Sequence, residues 1–292
     1  QKVVFAEGGH ATMMKAAVQA KQEGICIPIL LGNPDRLNRL AARLKLDLSG
    51  VEIIDMRADQ EQGRRATFAK HLAEKRARQG YTFEEAYDKM YERNYFGMSL
   101  VENGYADAFI TGLYTKYSNT IKVAKEVINR HPDENTLTDI AKLSAHTVKF
   151  FNDEPVIAML SYSNFGTDDI GSPLKVHNAV EQMQKEFPDL AIDGEMQVNF
   201  ALNKELRDDK YPFSRLKGKN VNTLVFPNMS SANCSYKLLQ ELDQDCEIIG
   251  PIQMGLNKAI HFTDFESSVN DVVNITAVAV IDAYVEKVKN NL

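Results

Sequence analysis

Side chains that suit an anion follow one short apolar run in the middle of the chain. Ser161, Ser163, Asn164 and Gly166 come directly after this run, in a segment (161–166) that we call the first polar loop. Hydroxyls, an amide and a glycine N–H in one turn suit a phosphate or an amide-rich ligand. A capped loop without a ligand has the same composition, so this segment alone leaves both interpretations open.

A second segment repeats the composition of the first. Asn228, Ser230, Ser231 and Asn233 follow another apolar run, in a segment (228–233) that we call the second polar loop. Ligands of parallel α/β sheets bind beyond the carboxyl ends of the strands. Two such loops in one half of the chain therefore favour a binding site over two unrelated turns.

Acidic residues supply the candidates for proton transfer. Asp271 precedes a long apolar helical pattern, where a carboxylate can act as a general base. An acidic residue in the first turn of a helix is also ordinary dipole chemistry. The turn Ala6-Glu7-Gly8-Gly9-His10 follows the first apolar run, and its glycines leave N–H groups free for an anion. A plain turn between a strand and a helix is the commoner meaning of such a segment.

Composition and motifs exclude several functional classes. The net charge is −6 and the pI about 5.6, without a long basic stripe, so we expect no nucleic acid partner. The zinc, P-loop and serine-hydrolase motifs are absent from the sequence, so we expect no metal site. The longest apolar stretch, Val272–Val285, contains polar residues and is too short for a bilayer, so we expect no membrane contact. Three widely spaced cysteines without a CxxC motif predict a reducing, cytoplasmic location.

The elements that must position these side chains alternate along the chain. Apolar runs bounded by Gly, Pro or Asn predict strands that are buried on both faces. They are Val3–Ala6, Ile25–Leu31, Val51–Met56, Ala106–Thr111, Val156–Leu160, Thr223–Phe226 and Ile248–Ile252. Helical patterns lie between them, at Thr12–Lys21, Arg65–Arg78, Phe83–Asn103, Leu137–Phe150, Pro173–Phe187, Asn233–Leu242 and Ser268–Lys289. This alternation predicts an α/β fold with mostly parallel sheets.

The alternation breaks once. One helical pattern ends at Val127 and the next starts near Thr136, with only a polar link between them. We interpret this as an absent segment of roughly two or three dozen residues between Val127 and Ile128, enough for a pair of strands. A Cα–Cα distance near 3.8 Å between these two residues would argue against it.

Short motifs in a fixed order carry a resemblance that extends over essentially the whole chain. The sequence resembles the phosphotransacetylase (phosphate acetyl/butyryltransferase) family. The motifs are Val4–Gly8, Tyr95–Gly97 with Ala106–Ala108, Leu160–Ser163, Asp193–Gln197, Phe226–Asn228 with Ala232-Asn233, and Gly250–Ile252 with Gly255. Phe5–Gly8, Ser163–Gly166 and Val273–Ala277 are most similar to the branch of this family found at the C-terminal end of bacterial malic enzymes.

The resemblance implies an architecture of two α/β/α domains with a cleft between them, like that of isocitrate and isopropylmalate dehydrogenases. Residues 1–127 and 256–292 would form the first, discontinuous domain, and residues 128–255 an inserted second domain. Coenzyme A would lie in the cleft near the two polar loops, and the chain would form a homodimer or a higher homo-oligomer.

The resemblance also implies a chemistry and its departures. In the family an aspartate takes the thiol proton of coenzyme A, and a Ser-Arg pair with further arginines holds the phosphate. Asp271 matches the aspartate and Arg76 one arginine, whereas Lys122 stands where another arginine is usual and lacks its bidentate fork. Asp264-Phe265 occupies the position of the Ser-Arg pair, so phosphate turnover should be severely reduced.

Two functions follow from this departure. The first is a regulatory domain of an NADP-dependent malic enzyme that binds acetyl-CoA, supports oligomerisation, holds no cofactor of its own and acts with a catalytic domain of the same polypeptide. The alternative is an active phosphate acetyltransferase that uses Asp271 with Arg76 and Lys122 as phosphate ligands.

Overall fold

The structure is a computed structural model that describes residues 1–128, 137–242 and 248–290. The described chain divides into two compact units. The first comprises residues 1–128 and 249–290, and the second comprises the described residues between them. Residues 249–255, which the sequence analysis placed in the second domain, therefore belong to the first unit.

The described residues form eight strands and twelve α-helices. The strands are β1 (Lys2–Phe5), β2 (Ile27–Leu31), β3 (Glu52–Ile54), β4 (Ala108–Thr111), β5 (Val156–Leu160), β6 (Ala191–Met196), β7 (Thr223–Val225) and β8 (Ala259–Phe262). The helices are α1 (Ala11–Gln22), α2 (Pro34–Leu44), α3 (Gln62–Lys75), α4 (Phe83–Lys89), α5 (Arg93–Glu102), α6 (Tyr117–Val127), α7 (Leu137–Phe150), α8 (Ser172–Glu186), α9 (Val198–Leu202), α10 (Lys204–Lys210), α11 (Met229–Leu242) and α12 (Val269–Asn290).

The first unit contains a parallel sheet in the order β3-β2-β1-β4-β8. Val4 belongs to the apolar cluster on one face of the sheet, while Val3 and Phe5 belong to the cluster on the other face. Both faces are covered, which is why the strands read as continuous apolar runs. All five carboxyl ends lie at one edge, and the winding direction reverses between β1 and β4, where ligands of such sheets bind.

The second unit contains a smaller parallel sheet in the order β6-β5-β7. Two buried charged side chains, those of Asp193 and Arg207, bind the loops beside this sheet. Asp193 accepts hydrogen bonds from the Ser214 hydroxyl and the Arg215 backbone N–H. Arg207, fully buried, donates to the carbonyl oxygens of Ala201, Leu216 and Lys219. The predicted α/β fold with parallel sheets is confirmed in both units.

Two element predictions were wrong, and strand β6 was not predicted. Ile248–Ile252 forms no regular strand, since Pro251 lacks an N–H for a sheet ladder, and the edge strand is β8 instead. Strand β6 was missed because Asp193, Gly194 and Glu195 interrupt its apolar pattern. The single helix predicted over Phe83–Asn103 is two helices, α4 and α5.

The predicted absent segment falls at the end of α6. Val127 is the last residue of this helix, and the N–H of Ile128 donates to the carbonyl oxygen of Ala124, 2.8 Å away. The polar link that follows lies outside the described residues, and the absent segment stays a prediction.

Gly97 allows helix α5 to lie directly on strand β4. A Cβ atom at this position would come within 2.2 Å of a ring carbon of Phe109 and 3.0 Å of the Leu31 side chain. Phe109 and Leu31 are themselves buried, so neither can move aside freely. The motif glycine is thus required by packing.

A half-buried carboxylate joins α4, α5 and α6. Glu126 accepts hydrogen bonds from the hydroxyls of Tyr81 and Tyr95 and lies 3.8 Å from the ammonium group of Lys89. Burial alone would raise the pKa of Glu126, but the two tyrosine hydrogen bonds, with the charges of Lys89 and Lys122, outweigh it and lower the pKa below its ordinary value of 4.5. The charged form of Glu126 therefore stabilises this junction.

We expect Gly97→Ala to destabilise the fold by about 1–3 kcal/mol, because the added methyl group overpacks the contact with Phe109. Gly63→Ala is the matched control, since Gly63 lies in α3 with no atom within 4 Å of the added Cβ. This control should be neutral or stabilising by up to about 1 kcal/mol. Chemical denaturation of both variants checks the prediction, and equal effects of the two changes would contradict it.

We expect Glu126→Gln to lower the free energy of unfolding by about 1–2 kcal/mol at neutral pH, because a charge-assisted acceptor is lost. The pKa of Glu126 is lowered in the folded state, so its contribution is fully present above about pH 5 and is lost as the pH falls through the folded pKa. The difference from the unmodified chain should therefore shrink in acid.

Thermal unfolding between pH 3 and pH 7 measures this difference. Glu74→Gln is the control, because exposed Glu74 has only a 4.0 Å pair with Lys70. A difference between Glu126→Gln and the unmodified chain that stays constant with pH would show that the charge of Glu126 plays no part.

Candidate functional site

The loop that follows β8 holds Asp264 and Phe265, which the sequence resemblance predicts to occupy the position of the family's Ser-Arg pair. The backbone N–H of Asp264 donates to the Ser267 hydroxyl, and one Asp264 carboxylate oxygen accepts the N–H of Phe265 at 2.8 Å. The ring of Phe265 is 72% exposed. This loop thus presents an exposed apolar ring and a carboxylate, and its part in a phosphate site stays a prediction.

Asp271 has a structural task in the first turn of α12. Its carboxylate accepts the backbone N–H of Ser268 at 2.8 Å, and its own N–H donates to the Ser268 hydroxyl at 3.2 Å. This reciprocal pair is a capping box, which satisfies two N–H groups at the start of a helix. One carboxylate oxygen remains outside these two bonds, so the cap does not by itself prevent Asp271 from accepting a proton.

Arg76 contacts the C-terminal end of helix α6, and Lys122 lies in the middle of the same helix. The Arg76 guanidinium donates to the carbonyl oxygens of Glu126 at 2.8 Å and Lys125 at 2.6 Å. Those carbonyls belong to the last turn of α6 and have no partner inside the helix. Lys122 is exposed and its charge acts on Glu126. Among the described residues, no hydrogen bond or ion pair joins Asp271 to Arg76 or Lys122.

The first polar loop is closed by hydrogen bonds within its own unit. The Ser163 hydroxyl accepts the N–H of Asp168 at 3.0 Å, and Asn164 accepts the N–H of Gln197 at 2.8 Å. The N–H of Gly166 donates to the buried carboxylate of Glu195. The Ser161 hydroxyl accepts the N–H of Ser163. Most of the polar groups that suggested an anion site therefore have protein partners.

The second polar loop caps helix α11. The Asn228 side chain accepts the N–H of Ser231 at 2.9 Å, and the Ser231 hydroxyl donates to the Asn228 carbonyl oxygen. Ser230 and Asn233 are exposed on the first turns of the helix. Because β5 and β7 are neighbours, the two polar loops follow adjacent strands at one sheet edge. The structure thus brings these predicted residues to one edge, and their role in ligand binding stays a prediction.

Glu7 occupies the point where the winding of the first sheet reverses. One of its carboxylate oxygens accepts the Thr111 hydroxyl at 2.7 Å and the N–H of Gly112 at 3.2 Å. The other oxygen is buried without a hydrogen bond partner. Burial raises the pKa of Glu7, although the hydrogen bonds from Thr111 and Gly112 and the charge of Arg93 act against this.

The importance of Glu7 was underestimated from sequence, because its partners come about one hundred residues later in the chain. Its position between two glycine-rich turns at the ends of β1 and β4 was the available signal. His10, in the same turn, caps α1 by accepting the N–H of Thr12, and its ring packs edge-on against Tyr114 at 5.0 Å.

A cavity of about 1230 Å³ opens at the same sheet edge, beside the ends of β1, β2 and β3. Its lining includes the start of α5, one side of α2 and Tyr114. The sequence analysis predicted no helix at residues 34–44 and so missed this side of the cavity. The signal was present: Asn33 caps the helix, Pro34 begins it, and arginines recur at helical spacing.

In the part of the chain that the structure describes, no group of three or more His, Cys, Asp or Glu side chains is arranged to hold a metal ion. The helices found in this part are also too short or too polar to cross a membrane.

Comparison with known proteins connects this chain to one family. The sequence profile of the family described as Phosphate acetyl/butaryl transferase matches residues 1–133 and 127–280. The NADP-dependent malic enzyme of Escherichia coli is 32% identical over 97% of this chain, which spans 41% of that enzyme. The phosphate acetyltransferase of Clostridium acetobutylicum is 30% identical over 97% of this chain and is covered over 94% of its own length.

A solved structure agrees with these relatives. A phosphotransacetylase from Streptococcus pyogenes superposes with a TM-score of 0.85 at 29% identity, covering 97% of this chain and 94% of that one. The alignment with the Escherichia coli relative runs over 317 positions. This number exceeds the 292 residues of this chain, so the alignment contains gaps in this chain. The two relatives and the solved structure lead to the same conclusion as the profile. The chain belongs to the Phosphate acetyl/butaryl transferase family.

Proposed function

We propose that this chain binds acetyl-CoA as a regulatory ligand and does not transfer its acetyl group to phosphate. The observation that carries the proposal is the loop after β8, where Asp264 and the exposed ring of Phe265 stand at the position of the family's Ser-Arg pair. A phosphate there would meet a carboxylate of its own charge and no guanidinium.

The electrostatic consequence is large for turnover and smaller for coenzyme A binding. Removing one donor from a site of developing negative charge typically lowers turnover by about 10²–10³-fold. Binding of coenzyme A depends on many contacts along a long ligand, so the loss of one phosphate site need not abolish it. We therefore expect the replacement of the Ser-Arg pair to lower phosphate turnover strongly and to preserve coenzyme A binding.

Arg76 supports the same proposal. Its guanidinium holds the last carbonyl oxygens of α6, so moving it to a phosphate would leave these groups without their partner. Lys122 keeps a positive charge but presents a point charge in place of the planar fork that matches phosphate. Neither residue replaces the missing Ser-Arg pair in this arrangement.

We further propose that the chain is the C-terminal domain of an NADP-dependent malic enzyme, acting with the catalytic domain of the same polypeptide. The supporting observation is that it spans 41% of such an enzyme at 32% identity. Assembly into a homo-oligomer is supported by Ile281, Tyr284 and Val288, which are 48%, 60% and 42% exposed along one helix. A cytoplasmic location is supported by the free thiols of Cys26 and Cys234.

An active phosphate acetyltransferase is the second candidate, and the comparisons favour it by coverage. The chain spans 94% of a stand-alone phosphate acetyltransferase at 30% identity, compared with 41% of the malic enzyme. Asp271 keeps one carboxylate oxygen outside its capping box and can serve as the base. The second candidate requires phosphate to be held by residues other than a Ser-Arg pair.

Two measurements on the unmodified chain separate the candidates. We expect calorimetric titration to detect acetyl-CoA and not acetyl phosphate, and we expect no acetyl-CoA formation from acetyl phosphate and coenzyme A. Turnover that disappears in Asp271→Asn would establish the transferase instead. Glu85→Gln is the matched control, because Glu85 has the same capping-box role in α4.

The double change Asp264→Ser with Phe265→Arg tests the physical reason. It restores the Ser-Arg pair, so we expect binding of acetyl phosphate to appear while acetyl-CoA binding stays within a fewfold of the original. Phe265→Leu alone is the control that changes the exposed ring without adding a donor. If the unmodified chain binds neither ligand, acetyl-CoA regulation through this domain is excluded.

A further inference from the structure

The cavity at the edge of the first sheet concentrates positive charge. Arg36, Arg39 and Arg43 project from α2 at intervals of three and four residues, which places them on one helix face. Arg57 follows β3 and Arg93 begins α5, and both also line the cavity. Five guanidinium groups thus surround one space in a chain whose net charge is −6.

The helix that carries three of these arginines is firmly attached to the sheet. Leu37 and Ala41 are buried on the face of α2 opposite the arginines, and the Asn33 side chain accepts the N–H of Arg36 at 3.2 Å as its cap. The Asn33 amide also donates to the Asp55 carboxylate at 3.2 Å. The arginine face is therefore presented by a packed and capped element.

Among the described residues, no carboxylate forms an ion pair with this group of arginines. In residues 1–128, 137–242 and 248–290, none of the five arginines forms an ion pair within 4.0 Å. Asp55 and Glu92 are the acidic residues of the lining, and Asp55 already accepts the Asn33 amide and the backbone N–H of Arg57. Like charges around one cavity repel one another, and a polyanionic ligand removes this repulsion.

Aromatic rings lie beside the charges. The guanidinium of Arg93 stands over the Tyr114 ring at 5.7 Å, and Tyr114 is 61% exposed. Tyr91, also in the lining, is held by the buried guanidinium of Arg65 at 4.6 Å from its ring. The volume of about 1230 Å³ exceeds what a single phosphate fills and suits a ligand with a ring system.

We propose that this cavity binds a nucleotide that carries at least three phosphate groups. The arginines of α2 with Arg57 and Arg93 hold the phosphates through charge-assisted, bidentate hydrogen bonds, and Tyr114 offers a ring for the base. The site is inferred from its own lining, and only its assignment to coenzyme A rests on the function proposed above. Both a nucleoside triphosphate and coenzyme A, whose nucleotide has three phosphates, present this chemistry.

Calorimetric titration of the full chain with ATP, coenzyme A and inorganic tripolyphosphate tests the proposal. We expect saturable binding of at least one nucleotide, weakening as salt is raised, and weaker binding of tripolyphosphate because it lacks a base. Preference for coenzyme A would make this the nucleotide end of the acetyl-CoA site, and preference for ATP would make it a separate site. Equal affinity for tripolyphosphate, or no binding of either nucleotide, would overturn the proposal.

Two variants assign the binding to this cavity. We expect Arg36→Gln with Arg39→Gln, and separately Arg57→Gln, to weaken nucleotide binding by roughly tenfold or more, the usual effect of losing a charged hydrogen bond. These side chains are exposed, so the fold should be retained, and circular dichroism verifies this. Arg78→Gln is the control, because Arg78 is exposed outside the cavity. Unchanged nucleotide affinity in both cavity variants would refute the site.

Discussion

The buried carboxylate of Glu7 connects the strand ends on which the first unit depends. Glu7 follows β1, accepts the hydroxyl of Thr111 and the N–H of Gly112 at the end of β4, and so joins the ends of the strands between which the winding reverses. Thr111 in turn accepts the N–H of Thr263 through its carbonyl oxygen at 2.8 Å. Glu7 therefore helps to position the loop with Asp264 and Phe265, because it binds Thr111 and Thr111 binds Thr263.

Gly112 lies close to Thr263, and a Cβ atom at Gly112 would be 2.1 Å from the Thr263 carbonyl oxygen. This contact therefore admits no larger residue than glycine.

Sequence patterns predicted the fold where a single physical effect dominates. Strands covered on both faces must be apolar throughout, so β1, β2, β4 and β5 were recognisable from composition. Strand β6 was not, because its polar members Asp193 and Glu195 accept hydrogen bonds from loops distant in sequence. Pro251 interrupts an apolar run that otherwise resembles a strand, and β8 is short enough to be hidden between polar neighbours. For β6, tertiary hydrogen bonding decided the outcome, and it cannot be derived from local pattern.

The sequence predicted which residue types form the candidate site, but it predicted the roles of the individual residues less well. Asp271 lies at the start of α12 as expected, and the polar loops follow β5 and β7 at one edge of the second sheet. Arg76, however, holds carbonyl oxygens of α6, a task that no motif encodes. The arginines of α2 were overlooked because they match no family motif and become a group only when the helix and the end of β3 are folded together.

The two tyrosines that donate hydrogen bonds to Glu126 also make the stability of the first unit depend on alkaline pH. Burial and the hydrogen bond to this carboxylate raise the pKa of Tyr81 to about 12 and raise that of Tyr95 further. A tyrosine whose folded pKa is raised contributes stability that is complete below its ordinary value of 10 and is lost as the pH rises through the folded pKa. Ionised phenolates would face a carboxylate that no longer has a donor. We therefore expect alkali to unfold the first unit at the junction of α4, α5 and α6. Acid weakens the same junction, because it removes the negative charge of Glu126.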